Sequence, residues 1–368
     1  MTTRREFLRT SSLNLGLLAA TGALSSRLAA QNAAGAKPSL GVALVGLGSY
    51  ATRQLLPALR QTKHCHLAGI VTGTPEKAIQ WQKDHGVKAA NVYDYKSYDR
   101  IADNPEIDIV YVVLPNSMHA EYTIRALKAG KHVICEKPMG LSVAECDQML
   151  AAAKQAGKTL AIGYRLHYDP FHQEAKRVGQ EQVLGKVKLF EGGFGFRAGD
   201  PTQWRLRKAL AGGGAIMDVG IYVMQAARYC TGEEPVSVTA QEIKTDSVKF
   251  AEVDETVLWQ MKFPSGAMAS CTTSYNCSTD FLQVACENGR YRVSPSYGYQ
   301  GMKGEVNGKP MEFTPVNQQA MHMDGIARHI LNGEPLLNVG GDEGRRDMLI
   351  IEAIYRAIAS GREETVAR

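Results

Sequence analysis

Short, wholly apolar runs recur along the chain from Leu40 onward, separated by longer amphipathic stretches. "LGVALVG", "HLAGIVT", "IDIVYVVLP", "KHVICE" and "TLAIGY" do not alternate apolar with polar, so they read as strands covered on both faces. Between them "AEYTIRALKAG" and "SVAECDQMLAAAKQAG" have helical patterns, and each closes on a glycine suited to a helix C-terminus. Buried strands alternating with crossover helices predict a parallel, doubly wound sheet over residues 37–163.

After Tyr164 the pattern changes. A helix over about Pro170 to Gly179 precedes "KVKLFEGGFGF", and "AGGGAIMDVGIYVMQAARY" opens a glycine-rich helix. Then "EPVSVTAQEI", "ETVLWQMKF", "GAMASCTTSY" and "FLQVACENG" follow as alternating or β-rich runs with few helices between them, and two closing helices span about Asn317 to Leu331 and Glu343 to Ser360. Strands in succession predict a mostly antiparallel sheet, hence an α+β domain over 164–368. Two domains also suit 368 residues, more than one core usually organises.

The first 36 residues stand apart. "TRREFLRT" pairs Arg4 with Arg5 ahead of a modest apolar stretch, Leu13 to Leu24, and Ala34-Gly35-Ala36 offers a small-x-small cleavage site. That is the layout of a twin-arginine signal, cleaved at Ala36 or nearer Ala30, and it predicts a periplasmic protein. The apolar stretch is short and interrupted, so no stable membrane insertion is expected. The net charge is +5, but it falls near +2 once the four arginines and one glutamate of this leader are set aside. With no basic stripe either, a nucleic-acid partner is not expected. The seven cysteines fit no metal spacing, and no metal is expected.

Candidate chemistry gathers where strands end. Gly46-x-Gly48-x-x-Ala51 follows the first strand and opens a helix. Gly46 permits a tight turn, Gly48 lets a pyrophosphate approach the backbone, and Ala51 allows close helix packing. After the second strand, where an NAD enzyme usually carries an acid for the ribose, the chain reads Val71-Thr72-Gly73-Thr74-Pro75-Glu76-Lys77. Small hydroxyls and a lysine there favour a 2′-phosphate and so NADP, although Lys77 also reads as a solvated helix residue. Pro115 breaks the fourth strand and leaves Asn116 and His119 at the sheet edge, the histidine being of a kind that more often begins and packs the next helix than does chemistry. Glu136-Lys137-Pro138 ends the fifth strand at the same edge, where a lysine can orient a sugar hydroxyl. Asp218 and Tyr222 lie four apart on one helix face, a carboxylate and phenol able to handle a proton. Arg165, His167, Tyr168, Trp204 and Arg205 stand at the domain junction and suit either a sugar pocket or interdomain packing.

Taken in order, "VALVGLGSYA", "VYDYKSYD", "LPNSMHAEYTIRALKAGKHVICEKPM", "IGYRLHYDP", "QWRLRKALAGGGAIMDVGIY" and "RRDMLIIEAIYRAIASGR" resemble the Gfo/Idh/MocA oxidoreductases. Tyr222, where many relatives carry histidine, and the "YRLHYDP" and "WRLR" runs point to the glucose–fructose oxidoreductase branch. The resemblance implies an N-terminal Rossmann domain and a C-terminal domain with a large open, mainly antiparallel sheet that binds substrate and forms a homodimer or homotetramer. It implies tightly bound NADP, an aldose oxidised at C1 to its lactone, and the hydride returned to fructose or another aldose. Lys137, Tyr222 and Asp218 become the catalytic residues, with Arg165, His167 and Tyr168 beside them at the sugar. Nucleotide contacts fall on Gly46, Leu47, Gly48, Ser49, Tyr50, Ala51, Thr72, Gly73, Lys77, Tyr93, Leu114, Pro115, Asn116, His119, Glu136, Lys137, Arg165, Trp204 and Arg205. Two enzyme readings stay open beside this one, a plain NADP-dependent aldose dehydrogenase and an exported NAD-dependent glycosidase. A non-catalytic sugar-binding module is disfavoured by Lys137, Asp218 and Tyr222 together.

Overall fold

The computed structural model describes Lys37 and residues 39–367. The leader expected over residues 1–36 lies outside them. From Leu40 the chain forms one compact unit built on two sheets. The first uses β1 (Leu40–Val45), β2 (Cys65–Val71), β3 (Val92–Tyr93), β4 (Ile109–Val112), β5 (His132–Cys135) and β6 (Leu160–Ile162). Its order is β3-β2-β1-β4-β5-β6 and every pairing is parallel. Every residue of β1 and β4 is buried, as their uninterrupted apolar runs require. The strand order reverses between β1 and β4, so the carboxyl ends of β1, β4 and β5 meet at a switch point, where open α/β sheets bind ligands. The crossovers include α1 (Leu56–Leu59), α2 (Pro75–His85), α3 (His119–Lys128) and α4 (Val143–Ala156). Gly86 and Gly157 end α2 and α4 in the left-handed conformation, as terminal glycines do.

The second sheet is reached through α5 (Pro170–Gln180), capped by Asp169, whose side chain accepts from Phe171 N. It comprises β7 (Val187–Gly195), β8 (Ser237–Ile243), β9 (Thr256–Lys262), β10 (Met268–Ser274), β11 (Thr279–Cys286), β12 (Gly289–Val293), β13 (Gly304–Val306), β14 (Lys309–Met311) and β15 (Glu364–Thr365). Their order is β14-β13-β12-β11-β7-β10-β9-β8-β15. All neighbours are antiparallel except β7 with β10, a parallel contact the run of strands does not foreshadow. α6 (Ile221–Thr231) packs on one face of this sheet. The segment Lys208–Thr231 contains an 18-residue window apolar enough to cross a membrane by composition, but 78% of that window is buried, which marks a core helix.

The closing helices are α7 (Gln318–Asn332) and α8 (Gly341–Ser360), within two residues of the spans expected. α8 packs against α4 and β6 of the first sheet and β8 of the second. Just before it, Ile162 N at the edge of β6 donates to Val339 O at 2.7 Å. A buried polar network fixes the junction. Asp347 of α8, with no exposed surface, accepts from Arg228 Nη1 at 2.7 Å, Gln225 Nε2 at 2.7 Å and the Tyr164 hydroxyl at 2.5 Å. Each lone pair so used lowers the cost of burying that carboxylate.

Candidate active site

The glycine turn after β1 has the geometry its sequence calls for. Gly46 has φ +90°, and a Cβ there would lie 2.4 Å from Val113 O, so both backbone and space demand glycine. A Cβ on Gly48 would meet nothing within 4 Å, leaving room for a ligand to approach the main chain. Helical backbone follows over 49–59, with a π turn over Ala51–Leu55 and Ala51 fully buried. An exposed turn of amides leading into a helix start is a cradle for an anion, and these residues fit a dinucleotide pyrophosphate. At the end of β2, Lys77 reaches back so that its Nζ donates to Leu47 O at 3.1 Å, putting a cation beside the turn. Thr72 is buried, and its Oγ1 accepts from Thr74 N at 3.2 Å. The exposed Gly73 carries the chain past the Tyr95 ring, which a Cβ would meet at 3.0 Å.

Lys137 and Asp218 come together across 81 residues of sequence. Lys137 Nζ donates to Asp218 Oδ1 at 2.8 Å and to Asp218 O at 2.5 Å. Asp218 Oδ2 accepts from the Tyr275 hydroxyl at 2.9 Å and faces Arg205 Nε at 3.2 Å. Burial alone would raise this carboxyl, but Lys137 and Arg205 outweigh it and hold it well below the usual carboxylate range. Burial likewise works against the Lys137 ammonium. Asp218 and Tyr222 more than offset that, so its pKa rises and it stays cationic. The Tyr222 ring lies between two cations, with its centroid 5.0 Å from Lys137 Nζ and 5.1 Å from Arg165 Cζ. Asp218 sits on a π turn, Ile216–Gly220, rather than in the regular helix the spacing predicts. Such a turn re-aims one side chain without ending the helix, a distortion common at functional sites.

Supporting contacts hold the sheet edge. Glu136 is buried, its Oε1 accepting from the Tyr111 hydroxyl at 2.7 Å, and burial keeps its carboxyl above the ordinary value. His119 places Nδ1 2.8 Å from Pro138 O and Nε2 2.9 Å from Leu114 O, tying the loops after β4 and β5 together. Burial pushes its pKa down to about 4 against the pull of these two carbonyls, which favour the doubly protonated ring. Asn116 is buried and donates from Nδ2 to Ala211 O at 2.8 Å. Arg205 stacks on Trp204, its Cζ 4.6 Å from the ring. Tyr93 is buried in β3, where its hydroxyl accepts from Asn104 Nδ2 at 2.9 Å.

The structure thus gathers Lys137, Asp218, Tyr222, Arg165 and Arg205 around one point. It gives other expected residues different neighbours. His167 packs on Tyr164 and Tyr229, with ring centroids 6.2 and 5.4 Å away. Tyr168 packs on His322 at 5.5 Å and against Gly325 of α7. These are contacts of interdomain packing, the other role open to them. Two tyrosines at the site escape the sequence reading. Tyr275, just beyond β10, bonds Asp218, and Tyr299 lies over Arg165 with its centroid 4.4 Å from Cζ. Neither belongs to a local motif. Among the described residues no group of His, Cys, Asp or Glu is placed to hold a metal ion.

Residues 40–164 match the model of the oxidoreductase family with an NAD-binding Rossmann fold, and residues 172–292 match the GFO/IDH/MocA C-terminal domain. The crystal structure of aldose-aldose oxidoreductase from Caulobacter crescentus, complexed with glycerol, superposes with a TM-score of 0.86 at 44% identity, covering 89% of this chain and 99% of that one. A D-xylose 1-dehydrogenase [NADP(+)] from Haloarcula marismortui is 29% identical over 341 residues, covering 88% of this chain and 92% of the relative. A probable dehydrogenase from Thermotoga maritima shares the fold at 23% identity and a TM-score of 0.74. With a dinucleotide turn, a lysine–aspartate–tyrosine cluster at the carboxyl edge and both domain models matched in order, the chain is an oxidoreductase of the Gfo/Idh/MocA family.

Proposed function

We propose that this protein oxidises an aldose at C1 to its lactone with NADP as hydride acceptor, and passes the hydride to a second sugar. The observation that carries the reading is the Lys137–Asp218–Tyr222 cluster beside the glycine turn. The 44% identity to an aldose-aldose oxidoreductase supports the sugar pair. Thr72 and Gly73 directly after β2, where an NAD enzyme usually carries its acid, with Lys77 following, support NADP, as does the NADP-dependent D-xylose dehydrogenase relative.

A bound nicotinamide dinucleotide supplies the carbon that takes up and gives back hydride. The chain does the rest. Gly46 to Ala51 hold the pyrophosphate, and Thr72 and Lys77 the ribose phosphate. Lys137 Nζ has three protons and donates two of them to Asp218, which leaves the third for a sugar hydroxyl. One proton passes through Tyr222 Oη, leaving the C1 hydroxyl in the oxidation and going to the carbonyl oxygen of the second sugar in the reduction, so Oη starts and ends the cycle without it. Asp218, fixed by Arg205 and Tyr275, keeps the ammonium aimed. The reading extends to twin-arginine export to the periplasm, supported by Arg4-Arg5, and to tight retention of the nucleotide. It also extends to a homodimer or homotetramer, supported by the exposed Leu189 and Leu258 on strands of the second sheet.

The test uses protein purified and dialysed with no added nucleotide. Glucose alone should raise the absorbance of reduced nicotinamide to one equivalent per chain, and xylose or fructose should bleach it. The likeness to D-xylose 1-dehydrogenase favours a second reading, an aldose dehydrogenase that exchanges its cofactor. Signal only after NADP is added would establish that one instead.

A further inference from the structure

Tyr299 stands out among the aromatic residues near Lys137. It is 43% exposed, whereas Tyr297 and Arg165, two residues away and beneath it, are buried. Its ring is nonetheless held. The Arg165 guanidinium lies against it and against Tyr222, at 4.4 and 5.1 Å from the two centroids, and the Tyr50 ring stands 6.4 Å away. Its backbone is anchored as well. Asp280 Oδ1 accepts from Ser296 N at 2.6 Å and Tyr297 N at 2.7 Å, while Arg165 donates to Tyr297 O at 2.6 Å and Gly298 O at 3.0 Å. Lys137 and Glu136 are both near enough for their charge to act on its hydroxyl. A rigid, partly bare aromatic ring beside the reacting groups, and two residues of sequence from any buried tyrosine, has no packing reason to be there.

We propose that Tyr299 is the platform on which the pyranose ring of the sugar stacks. The inference rests on the sugar-oxidising reading above and names the class of sugar. A chair with equatorial hydroxyls presents axial C–H groups on a face, and their slightly positive hydrogens suit the negative face of a π system. Glucose and xylose have such faces. An axial hydroxyl on the stacked face would hold the ring away from Tyr299 and off the Lys137–Tyr222 pair.

Tyr299→Ala and Tyr299→Phe in the nucleotide-loaded enzyme test this, read by calorimetric binding of glucose, initial rates and nucleotide content. Tyr299→Ala should raise Kd and KM for glucose about tenfold, with kcat within about twofold and nucleotide content unchanged. Tyr299→Phe should behave as wild type. Wild type should also prefer glucose to at least one of galactose and allose, whose axial hydroxyls project to opposite faces, and Tyr299→Ala should lose that preference. Equal glucose affinity in Tyr299→Ala and wild type would overturn the inference alone, as would a loss confined to nucleotide binding. Failure of wild type to bind any of these sugars would remove the sugar-oxidising reading and this inference with it.

Discussion

Lys137 and Tyr222 separate binding from chemistry. Lys137 bonds Asp218, and the Tyr222 ring lies against both Lys137 and Arg165. Lys137→Ala and Tyr222→Phe should therefore each lower the rate of hydride transfer by roughly 10²–10⁴, the range for losing a positioned proton donor or acceptor, while NADP stays bound. Single-turnover absorbance and nucleotide content after dialysis measure the two effects apart. Loss of nucleotide with either change would move that residue to a binding role. At this scale the sequence is legible only in part. Lys137 and Asp218 announce themselves by their place at the ends of a buried strand and a glycine-rich helix start. Tyr275 does not, because its bond to Asp218 spans 57 residues and depends on how β10 pairs with β7 and β9.

Between residue and molecule, the glycine turn distinguishes two requirements that the sequence presents alike. Gly46 is needed by the fold, since its positive φ and its approach to Val113 O leave no space for a side chain. Gly48 is not demanded by the fold, since a Cβ there meets only open space, and that space is what a pyrophosphate would use to approach the main chain. Gly46→Ala should thus destabilise the protein by about 1–3 kcal/mol, seen in urea melts. Gly48→Ala should keep wild-type stability and lose NADP affinity, seen by fluorescence titration. A Gly48→Ala protein that melts early would contradict the distinction. Strand–turn–helix order is local chemistry, which is why β1 and its turn can be read directly. The two π turns, at Ala51–Leu55 and Ile216–Gly220, are not, because an extra residue in a helical turn leaves the apolar pattern nearly unchanged. The same limit hides the parallel β7–β10 contact, since alternation reports which face is buried and not which neighbour lies alongside.

For the molecule as a whole, burial of histidine sets the response to acid. His119, His132 and His322 are each pushed down to about 4 by burial, against an ordinary value of 6.5. Between those two values the unfolded chain binds more protons than the folded one, so stability falls as pH drops from about 6.5 to about 4 and levels off below. The Asp347 carboxyl, pushed up to about 7 by burial against the pull of Arg228, and the Glu136 carboxyl, also raised by burial, act in the opposite sense, but burial lowers His167 and His172 as well, so five histidines stand against two carboxyls. Denaturant midpoints should accordingly be lower at pH 5 than at pH 7, and His322→Asn should shrink the difference. A midpoint that rises on acidification would refute this account.

The pairing of β6 with Val339 also orders events in time. Synthesis proceeds from one end, and Ile162 is made 177 residues before the carbonyl that completes its edge. At roughly 5–20 residues per second, the strand stays unpaired on that side for roughly 10 to 35 seconds. α8, which follows Val339, covers both sheets at once. The nucleotide-binding half is therefore begun first, and its β6 edge is completed only by a segment made nearly last.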